Sequence, residues 1–276
     1  MTETNSLVAS PLKALEGAVV EFEIRVNRER LLQHLKRVYC NKTIVEATFS
    51  GPLRTTALAW EQDVLVVTRG LPDIEPLPTP VGLKLEPLIG TLNCLEGKDI
   101  ELRLESGHLV CVSGGRRIRV RPVEPDLTHT QPEPVMLDKV LAKIPGDAWQ
   151  TFSPDIAKAV VQAISGLGAE QVAVRVGPSG MTIIVGDPVL DTVEFDVEVT
   201  SEASYALLLD AKRVRDALAQ VGDSHPAIGL IGPNAVMGLR LESPDRSVDP
   251  PDIDVLYIIS PLKETRGPDG DLPSPA

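Results

Sequence analysis

The stretch VEFEIRVNRERLLQHLKRV, residues 20–38, changes its hydrophobic period once, and that change decides the architecture. Val20, Phe22, Ile24 and Val26 alternate with Glu21, Glu23 and Arg25, the period-two pattern of a half-buried strand. From Asn27 onward Leu31, Leu32, Leu35 and Val38 recur at helical spacing. Asn27 stands where its side-chain oxygen can cap the new helix. Three strand-like runs follow at Ile44–Ser50, Thr55–Glu61 and Val64–Thr68, then a Pro-rich loop over Leu71–Pro80. One strand, one helix and three strands make a unit.

The unit returns three times. Val81–Glu86 leads into a helix over Pro87–Leu95, then strands at Asp99–Glu105, His108–Ser113 and Arg116–Val123. Trp149–Phe152 precedes Ser153-Pro154-Asp155, a helix start whose stripe is Ile156, Val160, Val161, Ile164 and Leu167, with Gly168 as the stop. Gln171–Val176, Met181–Val185 and Val193–Val199 follow. Last come Tyr205–Leu209, a helix from Asp210 to Val221, and strands at Ala227–Ile231, Ala235–Leu241 and Asp254–Ile259. The helices begin near Asn27, Pro87, Pro154 and Ala211, roughly 60 residues apart, a repeat that points to one supersecondary piece used four times. The expected class is α+β, with helices on one face of antiparallel sheets. The units pair into two similar domains, 17–125 and 147–263. A flexible lead occupies 1–16, a Pro-punctuated linker with a short helix at Leu137–Ala142 occupies 126–146, and a disordered tail occupies 264–276.

Aromatics make up 3% of the 276 residues, so cores must be filled by the aliphatic share of the 43% hydrophobic total. Cys40, Cys94 and Cys111 form no CxxC pair and read as reduced thiols. His34, His108, His129 and His225 lack metal-ligand spacing, and no metal or other cofactor is expected. No 18-residue apolar run marks a membrane span, and no basic-then-apolar leader opens the chain, which points to the cytoplasm, or a host cytoplasm for a viral chain. Neither a Gly-rich phosphate loop nor a nucleophile elbow occurs. Asp249-Pro-Pro-Asp-Ile-Asp254 lacks the Gly and the distal Glu of a calcium loop and reads as solvated acid. No catalytic residue is assigned, and an enzyme is not expected.

Several segments together resemble the DNA sliding clamps, in particular the bacterial DNA polymerase III beta subunit. Met181–Phe195 looks like that family's hairpin, and Leu207–Leu218 like the strand and second helix of its last domain. Val255–Leu262 looks like its C-terminal strand and ending. Leu109–Val120, with Ser113-Gly-Gly-Arg-Arg, resembles a closing hairpin, and Val66–Leu71 a loop lining the partner pocket. The resemblance covers residues 20–125 and 147–262 and lies in the order of elements, since clamps carry no catalytic signature. It implies two DNA-clamp domains, each a duplicated βαβββ unit, similar to the last two of the beta subunit's three. Family rings hold six domains, so two per chain imply a homotrimer, with a dimer as the alternative.

Charge accords with that implication. Residues 27–42 carry Arg28, Arg30, Lys36, Arg37 and Lys42 against Glu29 alone, and residues 211–222 carry Lys212, Arg213 and Arg215 against Asp216. The whole chain nevertheless has a formal net charge of −12. A basic lining inside an acidic wall suits duplex DNA passing through a hole. The resemblance therefore assigns those eight cations and Lys158 to the DNA-facing surface. It places a partner-peptide pocket at Thr68, Gly70, Leu71, Pro154, Ile259, Pro261 and Leu262. It places the subunit interface at Leu109, Val110 and Val112 on one chain and Met181, Ile183 and Val185 on the next. Arg116–Arg121, alternating with Ile118 and Val120, read as an outer strand face. The implied partners are double-stranded DNA, a DNA polymerase, a clamp loader and further copies of the chain. The rival reading is a clamp-like scaffold, monomeric or dimeric, that binds proteins without encircling DNA.

Overall fold

The computed structural model describes residues 20–71, 73–124, 149–187, 190–198, 205–222, 224–231, 236–242 and 253–262. The expected lead, linker, short Leu137–Ala142 helix and tail lie outside them, as does the acidic run Asp249–Asp252. Elements form where the period changes. Val20–Asn27 is β1, and the Asn27 side chain accepts a hydrogen bond from the Arg30 amide at 3.1 Å to open α1, Arg28–Tyr39. β2 (Glu46–Gly51), β3 (Arg54–Leu58) and β4 (Val64–Thr68) follow. Next come β5 (Leu77–Lys84), α2 (Leu85–Asn93), β6 (Asp99–Glu105), β7 (His108–Ser113) and β8 (Arg116–Val120).

The second half begins with β9 (Gln150–Thr151) and α3 (Pro154–Leu167), whose Ser153 cap accepts from the Asp155 and Ile156 amides. β10 (Gln171–Gly177), β11 (Gly180–Gly186) and β12 (Thr192–Val197) follow. β13 (Tyr205–Asp210) leads to α4 (Ala211–Leu218), capped by Asp210, and then to β14 (His225–Ile231), β15 (Val236–Glu242) and β16 (Ile253–Ile259).

Two expectations shift. β5 extends back into the stretch expected as a loop, although it contains Pro78 and Pro80. It can do so because it is the outermost strand of its sheet, where a missing amide breaks no inner ladder. α2 begins two residues earlier than expected and holds Pro87 within its first turn, where amides have no helical partner anyway.

The result is a mixed α+β fold of three antiparallel sheets. One four-stranded sheet runs β1-β6-β7-β8 and another β12-β11-β10-β13. The third has eight strands in the order β5-β2-β3-β4-β16-β15-β14-β9 and crosses both halves of the chain. Its central join pairs Thr68 with Val255 through to Val64 with Ile259. Alternation sends Val66 and Tyr257 toward the helices, and Val67 and Leu256 to the opposite face. α1 packs on α2 and touches β1 and β4, while α4 packs on α3 and touches β10, β13 and β16. Each helix pair therefore bridges a small sheet and the long one, and a continuous apolar core runs beneath all four.

The far face of the long sheet carries a smaller cluster of Val67, Trp149, Ala227 and Leu256. Trp149 lies flat on Gly229, where a Cβ would come within 2.8 Å of its ring, and Arg240 stacks 4.6 Å above the ring centroid. The first aromatic after the expected linker thus clamps the outer side of the join between the halves.

Candidate nucleic-acid and assembly surfaces

The helices bury one stripe and expose the other. In α1 the buried side chains are Leu31, His34, Leu35 and Val38, and Glu29, Arg30, Gln33 and Lys36 face solvent. The nine cations read as DNA-facing have unequal surroundings. Lys36 is exposed and has no carboxylate partner among the described residues. Arg28 donates from Nη1 to the Leu95 carbonyl at 2.5 Å, and Arg37 from Nη2 to Ser224 Oγ at 2.7 Å. Arg30 pairs with Asp73, Lys42 with Glu86 at 3.2 Å, and Lys158 with Asp155 at 3.6 Å. Lys212 and Arg215 share Asp216, each at 3.1 Å. The Glu86 hydrogen bond raises the Lys42 pKa above its ordinary value. The pairs in which both side chains are exposed, those of Arg30, Lys42 and Lys158, are screened by solvent and mute the positive face rather than hold the fold together.

Arg213 differs from the rest. Its side chain is only 11% exposed, and it donates from Nε to Asp63 at 2.6 Å and from Nη2 to Glu61, both in the β3–β4 turn. Its guanidinium ties the two halves together, turned away from the open helix face. Asp216 works beside it. Its carboxylate is fully buried and accepts from Asn41 Nδ2 at 2.8 Å as well as from Lys212 and Arg215. Asn41 belongs to a left-handed turn in which Cys40, Asn41 and Lys42 have φ of 44°, 51° and 74°. Such a run costs about 1–2 kcal/mol per residue, and Asp216 helps pin it from the other half of the chain. Burial pushes the thiols of Cys40 and Cys111 up to about 12, which keeps both protonated and unreactive.

A polar cleft of about 100 Å³ opens along α1, lined by Arg30, Gln33, His34, Arg37, Gly70, Leu71 and Val255. Its wall is fixed by the Leu71 amide, which donates to the Pro52 carbonyl at 2.7 Å. Gly70 has φ +82° and a Cβ there would stand 2.1 Å from that same carbonyl oxygen, so the close approach requires glycine. His34 Nε2 lies 2.9 Å from the Leu53 carbonyl, and burial lowers its pKa to about 4. The ring is therefore neutral at physiological pH and donates from Nε2.

The seven residues read as one partner pocket separate. Thr68, Gly70 and Leu71 sit at the Val255 end of the β4–β16 join, and Gly70 and Leu71 line the cleft just described. Ile259 is fully buried opposite Val64, at the other end of the join. Pro261 and Leu262 continue from there, half-buried, where the Ser260 amide donates to Asp63 and the Leu262 amide to Leu208. Pro154 opens α3 after β9, three strands from β16. The second end also bears Trp60, 75% exposed in the β3–β4 turn.

The strands expected at the subunit interface are interior ones. Leu109, Val110 and Val112 lie on β7, bonded to both β6 and β8. Met181, Ile183 and Val185 lie on β11, bonded to both β10 and β12. Their backbone groups are taken; the small sheets end at β1 and β13 on one side and, on the other, at the edges β8 and β12. These two edges have opposite charge. Arg117, Arg119 and Arg121 point to one face of β8 and its continuation, with Ile118 and Val120 on the other. On β12 and its continuation Glu194, Asp196 and Glu198 point one way, and Val193, Phe195 and Val197 the other. Val193 is 38% exposed. Both period-two charge patterns are visible in the sequence. That both strands are outermost is set by the sheet order.

Among the described residues no group of three or more His, Cys, Asp or Glu is placed to hold a metal ion, and no helix is long and apolar enough to cross a membrane. No protein-family model and no curated protein matches the chain. Solved structures do. A. fulgidus PCNA, bound to the C-terminal region of FEN-1, superposes with TM-score 0.67 at 17% identity, covering 90% of this chain and all of that one. The PCNA2–PCNA3 complex of Sulfolobus tokodaii gives TM-score 0.67 at 11% identity, over 88% of this chain and all of that chain. The DNA polymerase III beta subunit of Thermotoga maritima gives TM-score 0.63 at 13% identity, and this chain spans 65% of its length. The chain shares the fold of these DNA-clamp proteins.

Proposed function

We propose that this protein is a sliding clamp, a non-enzymatic ring that encircles duplex DNA and tethers a polymerase to it. The reading takes residues 17–125 and 147–263 as two clamp domains, each a doubled βαβββ unit, so that three copies complete six domains. The observation that carries it is the pair of oppositely charged free edges. Adding β8 of one copy to β12 of the next would set Arg117, Arg119 and Arg121 beside Glu194, Asp196 and Glu198 on one face. It would set Ile118 and Val120 beside Val193 and Phe195 on the other. The new sheet would have eight strands, like the one that already joins the halves. Edges that match only head to tail favour a closed ring over a symmetric pair.

Inside such a ring Lys36, Arg28, Arg30, Arg37, Lys42, Lys158, Lys212 and Arg215 would meet phosphate weakly, most of them already holding an intrachain partner. Arg213 is assigned to the join instead. A partner peptide would dock at the Pro261–Leu262 end, against the exposed Trp60. Solution mass and DNA topology test the reading together. We expect a mass of three times 29.7 kDa and retention on nicked circular duplex that is lost when the circle is cut. A monomer, or equal retention on linear DNA, would leave a scaffold that binds proteins without encircling DNA.

A further inference from the structure

We propose that Glu105 is a positioning residue that sets which residues meet when β8 of one copy takes up β12 of the next. By holding Arg117 inside its own chain, it leaves Arg119 to find Glu194. That role rests on the head-to-tail assembly proposed above and adds a register to it. Ser113 and Arg116 close a two-residue turn over Gly114 and Gly115, so they exchange both of their backbone hydrogen bonds. Alternation then turns the amides and carbonyls of Arg117 and Arg119 away from β7. The turn between Gly177 and Gly180 fixes β10 and β11 in the same way, which leaves the backbone groups of Thr192, Glu194 and Asp196 on the open side of β12. Among the described residues, the charged positions of each edge are thus the ones whose ladder groups are open. A slip of one residue would set open groups against bonded ones and reverse the faces.

Slips of two residues remain, and they are unequal. With Arg119 opposite Glu194, residues 116–121 cover the whole of β12, and Ile118 and Val120 meet Phe195 and Val193. Setting Arg121 opposite Glu194 carries Arg116 and Arg117 past the end of β12. The opposite slip sets Arg117 against Glu194, and here Glu105 decides. Its side chain is 4% exposed and accepts from Arg117 Nη2. Arg103 comes no nearer than 3.9 Å and is itself engaged by Glu23 and Glu101. Drawing Arg117 off to Glu194 would strip a buried carboxylate of its donor, a larger loss than an exposed ion pair returns. Arg119 carries no such obligation: it is exposed and holds no carboxylate among the described residues. In the favoured register Arg117 faces Asp196, which already accepts from Thr182 Oγ1 at 2.9 Å. Each of those two is held by its own chain, and the free charges, Arg119 and Glu194, select each other.

Cysteine pairs in the full chain read the register, in a Cys94→Ser background because Cys40 and Cys111 are buried. Val120→Cys with Val193→Cys reports the favoured register, and Ile118→Cys with Val193→Cys the slipped one. A pair two residues out of register stands about 7–8 Å apart, beyond disulfide reach. Mild oxidation is expected to link the first pair between copies on a denaturing gel and to leave the second near background. Glu105→Gln is expected to raise the second product about two- to fivefold relative to the first, the worth of one exposed ion pair. Glu105→Asp, which shortens the reach to Arg117, should move the ratio the same way by less. Adding Arg117→Gln to Glu105→Gln should return the ratio to its starting value, which a general loosening of the sheet would not do. A ratio that ignores both Glu105 substitutions, or a rise that survives Arg117→Gln, overturns the role of Glu105. Dominance of the second pair with Glu105 intact overturns the register and leaves the assembly standing. A trimer by mass in which neither pair links overturns the β8–β12 register but not the ring, whereas a monomer by mass removes the assembly itself.

Discussion

The join at β4–β16 pairs strand with strand inside the chain, whereas β8 and β12 end their sheets with open ladders and the opposite chemistry. β4 reads Val-Leu-Val-Val-Thr and β16 Ile-Asp-Val-Leu-Tyr-Ile-Ile; Tyr257 and Leu256 are fully buried at their meeting. The edges instead present arginine on one side and acid on the other, over an incompletely covered apolar flank. Burial makes a contact that salt does not weaken, whereas exposed opposite charges make one that salt screens and that rejects its own kind. If β8 and β12 pair between copies, as proposed, the same ladder builds one permanent seam and one reversible one.

Attacking the seam should give the largest effect. Tyr257→Ala removes a fully buried ring and its hydroxyl bond to the Arg37 carbonyl, and should cost about 4 kcal/mol in urea unfolding, unchanged by salt. Tyr257→Phe should cost only about 1 kcal/mol, the hydrogen bond alone. If salt altered either loss, the contrast between seam and edge would be lost.

Acid should act on the interior next. Burial keeps His34 neutral in the fold, with a pKa lowered to about 4, whereas the unfolded chain takes up a proton near the ordinary histidine value of 6.5. Its contribution is complete above pH 6.5 and is withdrawn as pH falls to 4, by about 3 kcal/mol in all. Unfolding measured against pH should show that slope. His34→Gln should flatten it and leave the salt dependence of association intact.

The edges should give the smallest energetic change and the largest change in assembly. Arg119→Glu or Glu194→Arg should each weaken self-association about tenfold by sedimentation, without shifting the urea midpoint. The double variant should recover part of the loss, as a cycle between facing strands requires. Additive losses would mean that β8 and β12 do not meet.

Reading the candidate sites from sequence succeeded unevenly for identifiable reasons. Asn27, Ser153 and Asp210 were legible as caps because a cap is satisfied by residues two or three positions away. Arg213 looked like its neighbours on α4 because its partners Asp63 and Glu61 lie about 150 residues earlier. Gly70 and Pro261 were grouped as one pocket although they stand at opposite ends of a strand pair, since closeness in a sheet depends on register. The resemblance places the interface on β7 and β11, and both are interior strands of their sheets. Apolar strands are interior ones, and edges are the strands that keep their charge.

By itself the sequence determined the β–α–β–β–β order, the helix starts and stops, and the apolar stripes, because hydrophobic period and capping act within a turn or a strand. Only the tertiary structure decided which strands end a sheet, which cations already hold an acid, and which side chains wall one cleft. Ladder bonds and ion pairs take their partners from anywhere in the chain, and that choice is made when the core closes.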